Sequence, residues 1–287
     1  MQYGLGLPNM RLPAQTFAEL AKLAEEAGWD GIFLEDYIVH WSAHDAPTHD
    51  PWILLAAMAS HTQHIRLGTS VTALARRRPW KLAREAVTLD HLSNGRLILG
   101  VGLGDAKDPG FAHVGEAMDD RRRASITDEA LDVLAGLWSG QSFSYHGNHF
   151  QIHDVTFLPT PLQKPRIPIW VGGTWPFKGP LRRAARWDGM LPYKHTDDGS
   201  WQDMTPGEVR ELKTFIDIEH EGERAHSMPF DIVLGGRKRG DDWEQERAHI
   251  REVAAAGATW WGEYIPPEAL EDIQACIAHI KQGPLRG

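Results

Sequence analysis

Apolar residues along this chain recur in two rhythms. Short unbroken apolar runs alternate with longer stretches in which apolar positions return every three or four residues. The first rhythm predicts buried strands and the second amphipathic helices. The runs fall at 3–7, 31–34, 65–71, 97–101, 167–171, 188–191, 230–234 and 259–261. Between them the spacing predicts helices over 17–27, 50–61, 79–93, 119–137, 181–186, 205–219, 243–256 and 269–281. Start and stop residues agree. Asp50-Pro51 opens one helix, Thr205, Pro206 and Glu208 form a capping box on another, and Gly28, Asn94-Gly95 and Gly257 stand at helix ends. Along 119–137, Ile126, Ala130, Leu131, Leu134 and Leu137 share one face. Strand and helix alternating eight times imply a parallel sheet with helical crossovers. In 287 residues this fits an α/β fold of the closed (β/α)8 TIM barrel type, one domain over 1–287. An open doubly wound sheet is the competing reading. One insertion, at 138–166, interrupts the alternation with a hairpin over 145–157, turned by Gly147-Asn148, and a proline-rich crossing.

Ligands of such a barrel gather at the C-terminal ends of its strands. That end collects Leu7-Pro8, Glu35-Asp36-Tyr37, Thr69 to Thr72, Gly102 to Asp105, Gly172 to Trp175, and residues 191–194, 235–239 and 263. Gly100, Gly102 and Gly104 alternate along one side of an extended segment, where a flat ring can approach the backbone or a tight turn can form. This is not a dinucleotide fingerprint, since the third glycine of G-x-G-x-x-G is absent, and Lys107 has no following Ser or Thr to make a P-loop. Gly172-Gly173-Thr174 offers N–H groups and a hydroxyl just before a helix, a combination that holds a phosphate or simply turns the chain. Read from its residues alone, Thr69-Ser70-Val71 is a plain strand end.

The connection 35–49 is long, non-periodic and rich in acids, aromatics and histidines, a composition that favours function. His40, His44 and His49 have reference pKa values near ~6.5, suited to proton transfer. Tyr37, with a reference near ~10, donates hydrogen bonds but is a poor base at neutral pH. Trp41 and Trp52 point to an apolar or ring-shaped substrate.

Charge narrows the classes. A formal net charge of -9 argues against a duplex nucleic-acid binder. Three basic runs stand out against it: Arg76-Arg77-Arg78 beside the third strand end, Arg121-Arg122-Arg123 at a helix start and read as surface, and Arg237-Lys238-Arg239 after the seventh strand, where a phosphorylated or carboxylated substrate would be met. The histidines of 40–49 lie on a loop without H-E-x-x-H spacing, so no metal site is expected. No G-x-S-x-G marks a serine nucleophile. The single Cys276 allows no internal disulfide. Neither a leader-like segment nor a run of ~20 apolar residues is present, so a cytoplasmic protein away from membranes is expected.

Three runs carry a family resemblance: GTSVTALARRRPWKLAREAVTLDHLSNGRLILGVGLG, LAEEAGWDGIFLEDYI and PRIPIWVGGTWPFKGPLRRAARWDG. They resemble the luciferase-like monooxygenase family, which contains flavin-dependent monooxygenases and deazaflavin (F420)-dependent oxidoreductases. The likeness covers about the first two-thirds of the chain; the remainder is compatible. It implies a (β/α)8 barrel, usually a homodimer, with the cofactor ring at the top of the barrel. It implies a non-proline cis peptide behind that ring, by position Ser70-Val71. It implies cofactor contacts from Asp36, Thr69, Ser70, Val71, Arg76, Gly102, Gly104, Asp105, Gly172, Gly173 and Thr174. Many F420-dependent members have Asp-His where this chain has Asp36-Tyr37, with the histidine near the reacting carbon. The expected catalytic groups are therefore Asp36, Tyr37 and His40. The modest insertion, the GTSV bulge and an arginine run able to pair with an anionic tail favour coenzyme F420, with hydride transfer to or from a small organic substrate. FMN with O2, as a monooxygenase, is the alternative; a non-redox barrel hydrolase and a cofactor-free binding protein are the others.

Overall fold

A computed structural model describes residues 1–40, 45–197, 199–223 and 229–286. In chain order its elements are β1 (Gln2–Leu7), α1 (Ala14–Glu26), β2 (Gly31–Leu34), α2 (Pro51–His61), β3 (Arg66–Thr69), β4 (Thr72–Ala73), α3 (Pro79–Leu92), β5 (Leu97–Gly102), α4 (Pro109–Ala112) and α5 (Asp120–Trp138). There follow β6 (Ser142–His146), β7 (Gln151–Thr156), β8 (Ile169–Thr174), α6 (Lys178–Ala185), β9 (Gly189–Tyr193), α7 (Pro206–Glu223), β10 (Asp231–Arg237), α8 (Trp243–Ala256), β11 (Trp260–Tyr264) and α9 (Ile273–Lys281).

Among the described residues, eight parallel strands run in the order β3-β2-β1-β11-β10-β9-β8-β5. The barrel closes where Leu67 and Gly68 of β3 pair with Leu97 and Ile98 of β5. The expected TIM barrel is thus the observed one, and the open sheet is excluded by that last pairing. The caps sit where the residues predicted them. Asp50 accepts the Ile53 N–H at 3.0 Å, and Thr205 and Glu208 cap each other reciprocally at 2.8 and 3.3 Å.

The core has two layers. Outward-facing strand residues such as Leu5, Leu67 and Leu99 pack against Leu20, Leu55, Leu82 and Leu134 of the helices. Inside the barrel, Phe33, Ile98, Trp170, Leu191 and Trp260 form a separate cluster. Phe33 fits because the strands beside it carry glycine: a Cβ on Gly31 would lie 2.7 Å from its ring, and one on Gly4 2.9 Å.

Three details depart from expectation. The third strand stops at Thr69, short of the predicted run to residue 71, and β4 then pairs separately with β5; the Ser70-Val71 peptide between them is cis, as the family resemblance implied. The hairpin of the insertion begins at Ser142, three residues early, because its outward serines hide the strand rhythm. Its turn is held by Glu129 of α5, whose carboxylate accepts the N–H groups of Asn148, His149 and Phe150 at 2.7, 2.8 and 3.2 Å. Finally, the short helix α4 lies within the loop after β5, capped by Asp108, which accepts the Gly110 N–H at 2.7 Å. Among the described residues no helix is long and apolar enough to cross a membrane.

Candidate active site

A cavity of about 860 Å³ opens at the C-terminal ends of the barrel strands. Of the residues expected to hold a cofactor, Asp36, Ser70, Val71, Arg76, Gly102, Gly104, Asp105, Gly172, Gly173 and Thr174 line it. Thr69 does not: it is buried, and its hydroxyl donates to the Gly100 carbonyl at 2.8 Å. A Cβ on Gly100 would lie 1.9 Å from the Thr69 carbonyl oxygen, so only glycine admits this approach. Val71 leans over the next strand, 2.7 Å from where a Cβ on Gly102 would stand.

The cavity has two ends of different chemistry. One lies against β5, β8, α5 and α6. Here Arg123 is buried, with 4% of its side chain exposed. One guanidinium nitrogen donates to Asp120, while Nε and Nη1 have no hydrogen-bond partner. Arg123 and Arg76 both stand over the Phe111 ring, at 5.3 and 5.0 Å. Arg183 lines the same end and is held by Asp128 at 3.0 Å. Opposite them, the backbone at Gly173 passes so near α6 that a Cβ would meet Pro180 at 2.2 Å. A buried guanidinium with unfilled donors, beside glycine backbone and the Thr174 hydroxyl, is an anion site by its chemistry.

The other end is acidic and phenolic. Glu35, Tyr37, Tyr193 and Tyr264 line it, with His195 and Trp201 at the rim. The Tyr264 hydroxyl donates to Glu35 Oε2 at 3.1 Å. Burial, then the Glu35 charge, pushes the Tyr264 phenol far above its usual pKa. Burial followed by Glu35 and Asp108 does the same to Tyr37. Tyr193 is pushed up to about 12 by burial and Glu35, against a hydrogen bond with Ser70 that lowers it. All three therefore remain O–H groups at neutral pH.

Several expected roles change. Asp36 is no free acid or base: its carboxylate is clamped by Arg77 at 2.7, 2.8 and 3.0 Å. Arg76 donates to the Asp36 carbonyl and to Asp108 at 2.7 Å. The arginine run expected to meet an anionic tail is thus spent on carboxylates, and only Arg78 is exposed, beside Trp80. His40 is buried, 3.6 Å from Glu35 and packed on the Tyr37 ring at 4.7 Å; it is not among the lining residues. His49 bonds the Leu12 carbonyl at 3.0 Å, and Trp52 is buried in the helical layer; neither lines the cavity. His44 and Trp41 lie outside the described residues. Arg237 is turned to Asp203 at 2.7 Å and Glu246 at 3.0 Å, and Arg239 to Glu263 at 2.9 Å; Lys238 is exposed, and none of the three lines the cavity.

Arg123, Tyr193 and Tyr264 were missed as site residues, and Arg123 was readable. It stands on the buried stripe of α5 with Thr127, Leu131, Leu134 and Trp138, at steps of three and four residues.

Residues 3–206 match the luciferase-like monooxygenase family. The chain belongs to that family. Among luciferase-like relatives, an F420-dependent glucose-6-phosphate dehydrogenase from Microbacterium testaceum (strain StLB037) is 31% identical over 180 residues, 61% of this chain and 52% of the relative. A flavin-dependent trigonelline monooxygenase, oxygenase component, from Acinetobacter baylyi (strain ATCC 33305 / BD413 / ADP1) is 31% identical over 158 residues, 55% of this chain and 42% of the relative. The chain spans about half the length of the curated relatives it matches. In fold it is similar to an F420-dependent secondary alcohol dehydrogenase solved with an F420-acetone adduct, with TM-score 0.75, 17% identity and 98% of each chain covered.

Proposed function

We propose that this chain is an F420-dependent oxidoreductase that moves a hydride between coenzyme F420 and a small organic substrate. The observation that carries the reading is the polarity of the cavity. A flat chamber floored by the Ser70-Val71 bulge and the Gly102 backbone ends, on one side only, in the unfilled donors of Arg123. An anionic cofactor with an apolar ring fits that arrangement, and relatives named for F420 match 61% and 55% of this chain. Arg123, Thr174 and the N–H groups of 172–174 would hold the phosphate, and Val71, Gly102 and Gly104 the ring. When bound, the cofactor would supply the hydride chemistry. The protein's own part is placement and protonation. Asp36, locked by Arg77, fixes the loop that presents Glu35 and Tyr37. Glu35, hydrogen-bonded by Tyr264, is the group able to hold or release a proton there. This moves the catalytic expectation from Asp36 and His40 to Glu35, with Tyr37 and Tyr193 as hydroxyl donors.

The second reading is an FMN-dependent monooxygenase, favoured by the flavin-dependent relative of equal identity. Fluorescence titration with F420 and with FMN under the same conditions separates the two. Tight FMN binding without F420 affinity overturns the first reading, and binding of neither overturns both. A single barrel domain over 1–287, a homodimer and a cytoplasmic location belong to the same proposal; sedimentation at the mass of one 32.2 kDa chain removes the dimer.

A further inference from the structure

We infer, resting on the oxidoreductase reading, that the second substrate is an uncharged or cationic hydroxyl or carbonyl compound bound at the Glu35 end, and that carboxylated and phosphorylated compounds are rejected there. The reason is how charge is disposed around this end. Among the described residues, β9, β10 and the segments just after them bring four cations to this end; Lys238 is exposed and does not line the cavity, and the other three are each turned to an acid. Lys194 is 2.8 Å from Glu208, Arg237 is 2.7 Å from Asp203, and Arg239 is 2.9 Å from Glu263. None of the three lines the cavity. What faces the ligand instead is the Glu35 carboxylate, the Tyr37, Tyr193 and Tyr264 rings, and Trp201 and His195 at the rim.

Glu35 is held in place from the side by the Tyr264 hydroxyl and flanked by the buried His40. A substrate hydroxyl can donate to this carboxylate, and a carbonyl can accept from a phenol, since all three phenols keep their protons. An incoming carboxylate or phosphate at this end meets the Glu35 charge, while the lining cations Arg76, Lys107, Arg123 and Arg183 stand before α3, in the loop after β5, and on α5 and α6, and like charges brought together across a desolvated contact are strongly disfavoured. The unfilled donors of Arg123 do not rescue it, because they stand at the opposite end of the cavity, beside Phe111. The aromatic floor of Phe33, Trp170 and Trp260 adds an apolar face for the rest of the molecule.

The test uses the full chain loaded with F420 and three probes of one shape: cyclohexanol, aminocyclohexanol and hydroxycyclohexanecarboxylate. Calorimetric titration is expected to give the neutral and cationic probes roughly tenfold or greater advantage over the carboxylate. Glu35→Gln is expected to shrink the gap between the cationic and anionic probes by roughly fivefold or more. Equal or tighter binding of the carboxylate to the unaltered chain, or binding of none of the three, overturns the inference. The same ranking is expected for the chain without cofactor. A failed cofactor titration therefore strikes the oxidoreductase reading, and a failed ranking strikes this one.

Discussion

Two arginine runs of this chain look alike in the sequence and end in opposite circumstances. Arg76-Arg77-Arg78 stands at a strand end facing the barrel mouth, and two of its guanidinium groups are consumed by Asp36 and Asp108. Arg121-Arg122-Arg123 starts a helix that reads as solvated, yet Arg123 reaches the cavity with donors to spare. The difference teaches that a basic residue's use depends on the acids it meets in three dimensions. The first run builds the site by neutralising it. The second leaves a charge in reserve, which is a cost to the empty protein and an advantage only when an anion arrives.

Substitutions can break or sharpen this contrast. The largest effect is expected for Arg77→Ala, which leaves the Asp36 carboxylate, 2% exposed, with only the looser ion pair to Arg76 at 3.8 Å among the described residues. A broken buried pair costs about 3 kcal/mol here, the low end of its range because Arg77 keeps 20% exposure. A shift in the denaturant midpoint worth under about 1 kcal/mol would instead put the pair among surface bridges. Arg123→Met comes next and has the opposite signature. F420 affinity is expected to fall roughly ten- to hundredfold, as for a lost charge-assisted hydrogen bond, while thermal stability holds or rises. Destabilisation matching that of Arg77→Ala would return Arg123 to a structural role. Arg76→Lys keeps the charge but loses the fork shared between the Asp36 carbonyl and Asp108, and is expected to cost about 1 kcal/mol by chemical denaturation. Arg78→Ala is the control. Exposed beside Trp80, it is expected to change stability by no more than about 0.5 kcal/mol and to leave cofactor affinity where it was. A tenfold loss there would revive the arginine run as an anion site.

The barrel was legible because buried parallel strands write themselves as apolar runs and their helices as periodic ones, and Asp50, Thr205 and Gly257 punctuate them as capping chemistry requires. The strand-end glycines and the Ser70-Val71 bulge were legible through family resemblance more than physics, since GTSV alone reads as an ordinary strand end. The pairing of Asp36 with Arg77 joins residues 41 apart in sequence. No local rule links them, so a carboxylate expected to act was in fact a strut. Tyr193 and Tyr264 end β9 and β11, but which side chains at a strand end turn inward depends on register, and the strands predicted at 188–191 and 259–261 stopped before reaching them. Arg123 was lost to composition: three adjacent arginines suggest solvent, although the step of four to Thr127 already put the third on the buried face.

The aromatic floor has a use of another kind. Trp170 and Trp260 stand with ring centres 5.1 Å apart and form part of the wall around any molecule that fills the chamber. Indoles emit in the near ultraviolet, and a chromophore lying on that floor and absorbing there drains their excited state without touching the other ten tryptophans to the same degree. The barrel thus carries its own optical gauge of occupancy. Replacing Trp170 by phenylalanine dims that gauge, so ligand arrival can be followed in the unlabelled protein by the light it removes.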